Sequence, residues 1–305
     1  MELNLDAVNT PARAAASVIV LRDTAGGMQT FLLKRHGASS VLAGAHVFPG
    51  GKVDPQDDDS GTHALLDQSP SALASRLNEP GLAPMTAAGL FVAAIREVFE
   101  ECGVLFAHGG RTEHAQALAG KLLEPHPFGQ ALSSLSLRLD TTSLQPWSRW
   151  ITPRVPSVMN QRFDTRFFIA AMPDGQHACH DDVETTDGIW LRPRDALQHY
   201  WDGAIALAPP QIMTLAHLSH YRSVGQVMAA SVRQRPAHIA PEPFEDESGI
   251  RVTCYPGDPQ HSVPERCMPG PTRLLFRNRR FEPPGGFDAL FLPAPDGQCQ
   301  PTQTE

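Results

Sequence analysis

The sequence contains no closely spaced pair of cysteines. Its five (Cys102, Cys179, Cys254, Cys267 and Cys299) are scattered and odd in number, which argues against a disulfide framework and predicts reduced thiols in a cytosol-like compartment. Long apolar runs are missing too: none approaches the ~18 residues of a membrane-crossing helix. The start, Met1-Glu2-Leu3-Asn4-Leu5-Asp6, lacks a basic stretch followed by an apolar one, so no leader peptide is expected. Positive charge is in deficit, at a formal net −8. A nucleic-acid backbone needs a basic face, whereas a small anionic ligand needs only a few local cations. The expected protein is therefore cytoplasmic, with neither a membrane nor a nucleic acid as partner. The chain does have 41% hydrophobic residues over its 305 positions, enough for a buried core.

Ala16 to Leu21 reads as a strand, Asp23 to Gly27 as a turn and Thr30 to Arg35 as the hairpin partner. His46-Val47-Phe48 is a third apolar piece, stopped by Pro49-Gly50-Gly51. Residues 55–85, with Asp57-Asp58-Asp59, several prolines and a helix-like stretch near Ser71 to Leu77, read as a surface insertion. A helix is expected from Thr86 to Cys102 with Gly103 as its stop. Weaker helices follow at 113–123 and 128–135, then strands at 148–151, 163–171 and 188–191. Helices are expected at 193–201, with proline in the first turn, and at 210–228. From about Arg233 the chain is dense in proline and glycine, with a hairpin expected around 250–255, a strand at 274–276 and a frayed end at 301–305.

The informative segment is Arg96-Glu97-Val98-Phe99-Glu100-Glu101-Cys102-Gly103-Val104. On a helix, residues three and four apart share a face, so Glu97, Glu100 and Glu101 converge while Val98 turns to the core. Carboxylates within ~6 Å of each other repel unless a cation lies between them. Hard oxygen ligands on one face suit Mg²⁺ or Mn²⁺, with the remaining positions left to water and phosphate. Arg96 lies four residues before Glu100 and is placed to fix its rotamer. Upstream, Phe48-Pro49-Gly50-Gly51 is a tight turn at which backbone can approach a phosphate or a metal.

Together the turn and the helix resemble the Nudix box, G-x5-E-x7-R-E-U-x-E-E-x-G-U, where U is a bulky aliphatic residue. Counting from Gly51, the position of the first glutamate holds Asp57, and 38 residues separate it from Arg96 where the family has seven. The insertion accounts for the excess, and lengthening a loop costs little closure entropy. Asp57 is read as one of three solvated aspartates rather than as a replacement for that glutamate. The run Gly44-Ala45-His46-Val47-Phe48-Pro49-Gly50-Gly51, with Arg35 upstream, is similar to the motif L-L-T-x-R-[SA]-x3-R-x3-G-x3-F-P-G-G of coenzyme A-cleaving Nudix enzymes, although Ser40 stands at its second arginine. Trp150-Ile151-Thr152-Pro153 and Arg162-Phe163-Asp164-Thr165-Arg166-Phe167-Phe168 resemble the peroxisomal-type branch of those enzymes.

The resemblance implies an α/β fold, an α/β/α sandwich around a mixed β-sheet with a helical insertion. A Nudix domain is expected over residues 10–230, followed by a C-terminal extension over 231–305, packed on it or partly disordered. It implies metal-dependent hydrolysis of a nucleotide-linked diphosphate, with coenzyme A or acyl-coenzyme A first and ADP-ribose or NADH as the alternative. A non-catalytic nucleotide-binding module is the reading from another class. The catalytic set implied is Glu97, Glu100 and Arg96; the metal set is Glu97, Glu100, Glu101 and the Gly50 carbonyl. Arg35, Arg162 and Arg166 are candidate phosphate ligands, because a guanidinium matches phosphate in a bidentate fork. Among Asp181, Asp182 and Glu184, ahead of Trp190, Glu184 is chosen as a further acidic contributor. His177-Ala178-Cys179-His180 is read as an ordinary loop. The expected partner is a small-molecule nucleotide, with a homodimer left open.

Overall fold

Ala15 to Leu21 are buried without a break, and this puts the first strand at the centre of the sheet in the computed structural model. The structure describes residues 6–37, 39, 42–123, 127–155, 161–181 and 184–293; Ser40, Asp182 and the expected frayed end at 301–305 lie outside them. In chain order the elements are β1 (Arg13–Thr24), β2 (Gly27–Arg35), β3 (His46–Val47), β4 (Gly50–Lys52), α1 (Ser60–His63), α2 (Pro70–Leu77), α3 (Pro84–Cys102), α4 (Thr112–Leu122) and α5 (Phe128–Ser134). There follow β5 (Gln145–Ile151), β6 (Phe163–Ala171), β7 (Thr185–Leu191), α6 (Pro193–Trp201), α7 (Pro209–Leu218) and α8 (Val224–Arg233). The tail contributes β8 (Ala237–Ile239), β9 (Glu242–Glu245), β10 (Arg251–Cys254), β11 (Arg273–Arg277) and β12 (Arg280–Glu282).

The main sheet runs β3-β2-β1-β6-β5-β8, with β4 on β1 and β7 on β2. It is mixed: β1 pairs parallel with β6, and antiparallel with β2 and β4. Side chains alternate across a strand, so Val18 and Val20 enter one core with α2, α3 and α5. Ile19 and Leu21 enter the other, with α6, α7 and α8. Helices cover both faces, which is the expected α/β/α sandwich and explains why β1 reads as a continuous apolar run.

Three expectations need correction. The segment 55–85 is not a surface excursion, because Leu66, Leu73 and Leu77 are buried in the first core and α2 packs against α3. The single helix expected over 210–228 is two. Ser223 ends the interruption, its hydroxyl accepting from the Gln226 N–H at 3.3 Å, while the Val224 N–H donates to Asp23. The tail also forms more than one hairpin: β12-β11-β10-β9 make a second sheet, with Tyr255, Leu274 and Phe281 buried in the second core. The Tyr200 hydroxyl fastens that sheet to α6, donating to the Phe281 carbonyl at 2.9 Å and accepting from its N–H at 2.7 Å. Moreover β8 pairs parallel with β5, so the tail supplies an edge of the main sheet.

His217 of α7 stacks on Trp147, with ring centroids 4.6 Å apart. Burial, aided by His220, holds its imidazole down to about 3, against ~6.5 in an unfolded chain. Between those values the unfolded state binds a proton that the folded state refuses, so stability is full above the unfolded value and falls as pH drops through the window, by up to ~1.4 kcal/mol per pH unit. His217→Phe is expected to flatten the fall in urea midpoint between pH 7 and pH 5. An unchanged slope in that variant would show that His217 is not the group responsible.

Candidate active site

Helix α3 starts with Pro84 in its first turn and stops at Gly103, which takes the left-handed conformation (φ 69°) that glycine adopts without strain. Its last turns carry the acidic residues to the Gly50-Gly51 turn of β4. The Gly50 N–H donates to Glu101 Oε2 at 2.8 Å. A side chain at Gly50 would sit 2.4 Å from the Ala16 carbonyl, and one at Gly51 would sit 2.5 Å from the Glu97 carboxyl group. The two glycines therefore allow a contact between backbone and carboxylate that no other residue permits.

Arg96 lies at the hub of this arrangement and is 2% exposed. It grips Asp57 with both arms, Nε to Oδ1 at 2.8 Å and an outer nitrogen to Oδ2 at 2.9 Å. It also donates to Glu97 at 3.0 Å, to Glu100 at 2.8 Å and to the Lys52 carbonyl at 3.0 Å. Burial opposes its charge, but the hydrogen bonds to Asp57 and the surrounding carboxylates raise its pKa further still. Arg96 is thus enclosed by its partners and does not line the cleft.

Asp57 is likewise not a solvated aspartate. It is 1% exposed, and besides the Arg96 fork it accepts from the Asp54 N–H at 2.8 Å. A buried carboxylate is tolerated only with such partners. Asp57 thus stands where the first glutamate of the box is counted and ties the start of the insertion to α3. Gly89 assists, because a side chain there would meet Asp58 at 2.2 Å.

Burial pushes Glu97 up to about 7, with Glu100 and Glu184 adding to the effect against Arg96. Burial also pushes Glu101 up to about 8, against the Gly50 N–H and with Glu97 adding. Glu100 is raised as well, again first by burial. One arginine thus serves Asp57 and two of these three carboxyls, and the shortage of positive charge is the environment a hard cation relieves. The carboxyls of Glu97, Glu100 and Glu101 and the Gly50 carbonyl are of the hard-oxygen type that a divalent cation takes, but the three carboxyls do not bring one oxygen each within 4.8 Å of one another in this structure.

A cleft of about 420 Å³ opens beside this set. Glu97, Gly50, Gly51, Arg35 and Glu184 line it, which brings together five of the residues singled out in the sequence. Arg35 donates to the Ser39 hydroxyl at 3.1 and 3.2 Å and lies 3.9 Å from Glu184. Arg162 and Arg166 do not line the cleft. Arg162 is held by the Thr152 carbonyl at 3.0 Å. Arg166 makes a two-pronged pair with Glu79 at 2.9 and 2.6 Å and contacts Asp164 at 2.9 Å. Both guanidinium groups are engaged in structure, and neither serves a phosphate here. The motif residues Trp150 to Pro153 line the cleft as well, whereas sequence reasoning missed Arg13 and Lys52; alternation along β1 from the buried Ala15 was the available signal for Arg13.

Among the described residues, the one group of His, Cys, Asp or Glu whose ligand atoms all lie within 4.8 Å of one another is Asp67, His108 and Asp140. Asp67 is already bonded by His108 at 3.0 Å and by the Thr141 N–H at 3.0 Å, and Asp140 by the Ser143 N–H at 3.1 Å. These bonds give the cluster a structural explanation. No helix among the described residues is long and apolar enough to cross a membrane.

Comparison with known proteins agrees with this geometry. The family model of the NUDT19 Nudix domain matches residues 75–218. A Xenopus laevis protein described as acyl-coenzyme A diphosphatase NUDT19 is 28% identical over 235 residues, covering 65% of this chain and 62% of that one. Its Gallus gallus counterpart is 27% identical over 264 residues, covering 70% of each. The chain thus spans less than two thirds of the Xenopus relative. A solved Nudix hydrolase from Alicyclobacillus acidocaldarius superposes with a TM-score of 0.58 at 25% identity, over 72% of this chain and 97% of that one. The turn, the acidic helix and these likenesses lead to one conclusion: the chain resembles the Nudix hydrolases and, among them, the coenzyme A diphosphatase branch.

Proposed function

We propose that the chain hydrolyses the diphosphate bond of coenzyme A or acyl-coenzyme A, releasing 3′,5′-ADP and (acyl-)phosphopantetheine, with Mg²⁺ or Mn²⁺ as cofactor. The observation that carries this reading is the meeting of Glu97 and Glu101 with the Gly50-Gly51 turn, with Glu97 at one end of a cleft large enough for a nucleotide. The likeness to acyl-coenzyme A diphosphatases supports the choice of substrate. The domain division at about residue 230 and the cytoplasmic location belong to the same proposal.

Glu97, Glu100, Glu101 and the Gly50 carbonyl would hold the cation. When bound, it supplies neutralisation of the phosphate oxygens and acidification of water. The oxygen of a water molecule attacks one phosphorus, the bridging P–O bond breaks, and two phosphomonoesters leave. Such a transfer depends on positioning and charge stabilisation more than on covalent chemistry. Glu97 lines the cleft and takes part as proton acceptor or as ligand, two roles that coupled carboxylates share. Arg96 fixes Glu97 and Glu100, Glu101 fixes the turn, and Arg35 offers a guanidinium to phosphate.

The test is incubation with ~5 mM Mg²⁺ or Mn²⁺, roughly saturating for a carboxylate site, and coenzyme A, an acyl-coenzyme A, ADP-ribose or NADH, with products separated by chromatography. Release of 3′,5′-ADP is expected, and Glu100→Gln is expected to lower kcat by about 100-fold or more. AMP from ADP-ribose or NADH with coenzyme A untouched would move the assignment to the other substrates. No cation-dependent turnover of any of them would favour a binding module.

A further inference from the structure

Three cationic side chains line the cleft: Arg13, Arg35 and Lys52. Arg35 is engaged with Ser39 and close to Glu184. Arg13 and Lys52 have no side-chain ion pair among the described residues, in a chain of net charge −8. Their positions are fixed by the backbone. Lys52 pairs with Ala15 across the β1–β4 ladder, and its carbonyl accepts from Arg96. Arg13 lies two residues before Ala15 and pairs with Phe163 on β6, another cleft residue.

Paired residues project to one face and alternate residues share it. Arg13, Ala15 and Lys52 are therefore on one side, with Arg13 and Lys52 as diagonal neighbours ~7–8 Å apart at the backbone, within reach of one anion between two long side chains. On the same face of β4, Gly50 lies two residues from Lys52, ~7 Å along the strand. A single ribose spans such a step.

We propose that Arg13 and Lys52 form a second anion subsite, which binds a phosphomonoester on the nucleotide part of the substrate, apart from the diphosphate being cut. This inference rests on the diphosphatase reading of the Gly50–Glu97 end. The chemical class it selects is a nucleotide phosphorylated on its ribose, as in coenzyme A, over one lacking that group, as in ADP-ribose, NADH or 3′-dephospho-coenzyme A. Binding is electrostatic, so the preference weakens with added salt.

Two measurements test it. Steady-state hydrolysis of coenzyme A and of 3′-dephospho-coenzyme A would be compared for the wild type, Arg13→Gln and Lys52→Gln. Each variant is expected to lower kcat/KM for coenzyme A about tenfold more than for the dephosphorylated substrate, mainly through KM, the size of one charge-assisted phosphate contact. Equal losses on both substrates, or none on either, would overturn the proposal. Calorimetric titration with 3′,5′-ADP and with AMP requires no turnover and separates the two readings. A preference for 3′,5′-ADP that either variant abolishes supports the subsite even if no substrate is cleaved; equal affinities in the wild type refute it even if coenzyme A is hydrolysed.

Discussion

Arg96→Met is expected to destabilise the fold by about 3–5 kcal/mol, the usual cost of removing one partner from a buried charge pair, as read from the urea midpoint. The loss is large because Asp57 is left with a backbone N–H and no counter-charge while almost wholly buried. Two further variants separate folding from chemistry. Arg96→Lys keeps the charge but not the fork that holds Asp57, Glu97, Glu100 and the Lys52 carbonyl together; it is expected to fold with a lower kcat and a weaker cation affinity. The double variant Asp57→Leu/Arg96→Met replaces a buried ion pair by apolar groups, an exchange that is often neutral or stabilising. It is expected to recover most of the midpoint and none of the activity. Recovery of both would show that the hub serves stability alone.

Gly51→Ala is the counterpart of smallest size. The added methyl group would lie 2.5 Å from both oxygens of Glu97, closer than any real contact, so either the carboxyl group or the turn must move. A displacement of about 1 Å in a reacting group costs roughly 100-fold in rate, and we expect a fall in kcat of that order with a modest change in Tm. Cation titration followed by tryptophan fluorescence or calorimetry gives an independent readout, because Glu97 moves away from its neighbours. A variant with wild-type kcat and cation affinity would remove the Glu97–Gly51 contact from the mechanism.

The helix that carries Glu97, Glu100 and Glu101 was legible because its signals are local, with Gly103 announcing the stop. Strand β6 and helix α6 were read at their observed limits, Phe163–Ala171 and Pro193–Trp201, since alternation or an initial proline marks each. Burial of polar groups was not legible. Asp57 and Arg96 meet across 39 positions, and nothing in Asp57-Asp58-Asp59 distinguishes the buried aspartate from its neighbours, except the count from Gly51. Arg162 and Arg166 were singled out through motif position, although strand parity held a warning for Arg166 of β6. Phe163, Thr165 and Phe167 line the cleft, so Arg166 belongs to the opposite face, where Glu79 waits. The second sheet, β9 to β12, escaped because short strands between proline and glycine turns carry little periodicity.

Pro241 and Thr253, from the tail, line the same cleft as Glu97. The lining of that cleft is thus written in distant stretches of the gene product: β1 to α3, the middle from β5 to α7, and the tail after α8. Substitutions in the tail can reshape the room available to a substrate without disturbing the Arg96 hub. Substitutions at Arg96, which does not line the cleft, alter the acidic set without redrawing that room. A lineage built on this plan is free to change what it accepts and what it does to it in separate steps.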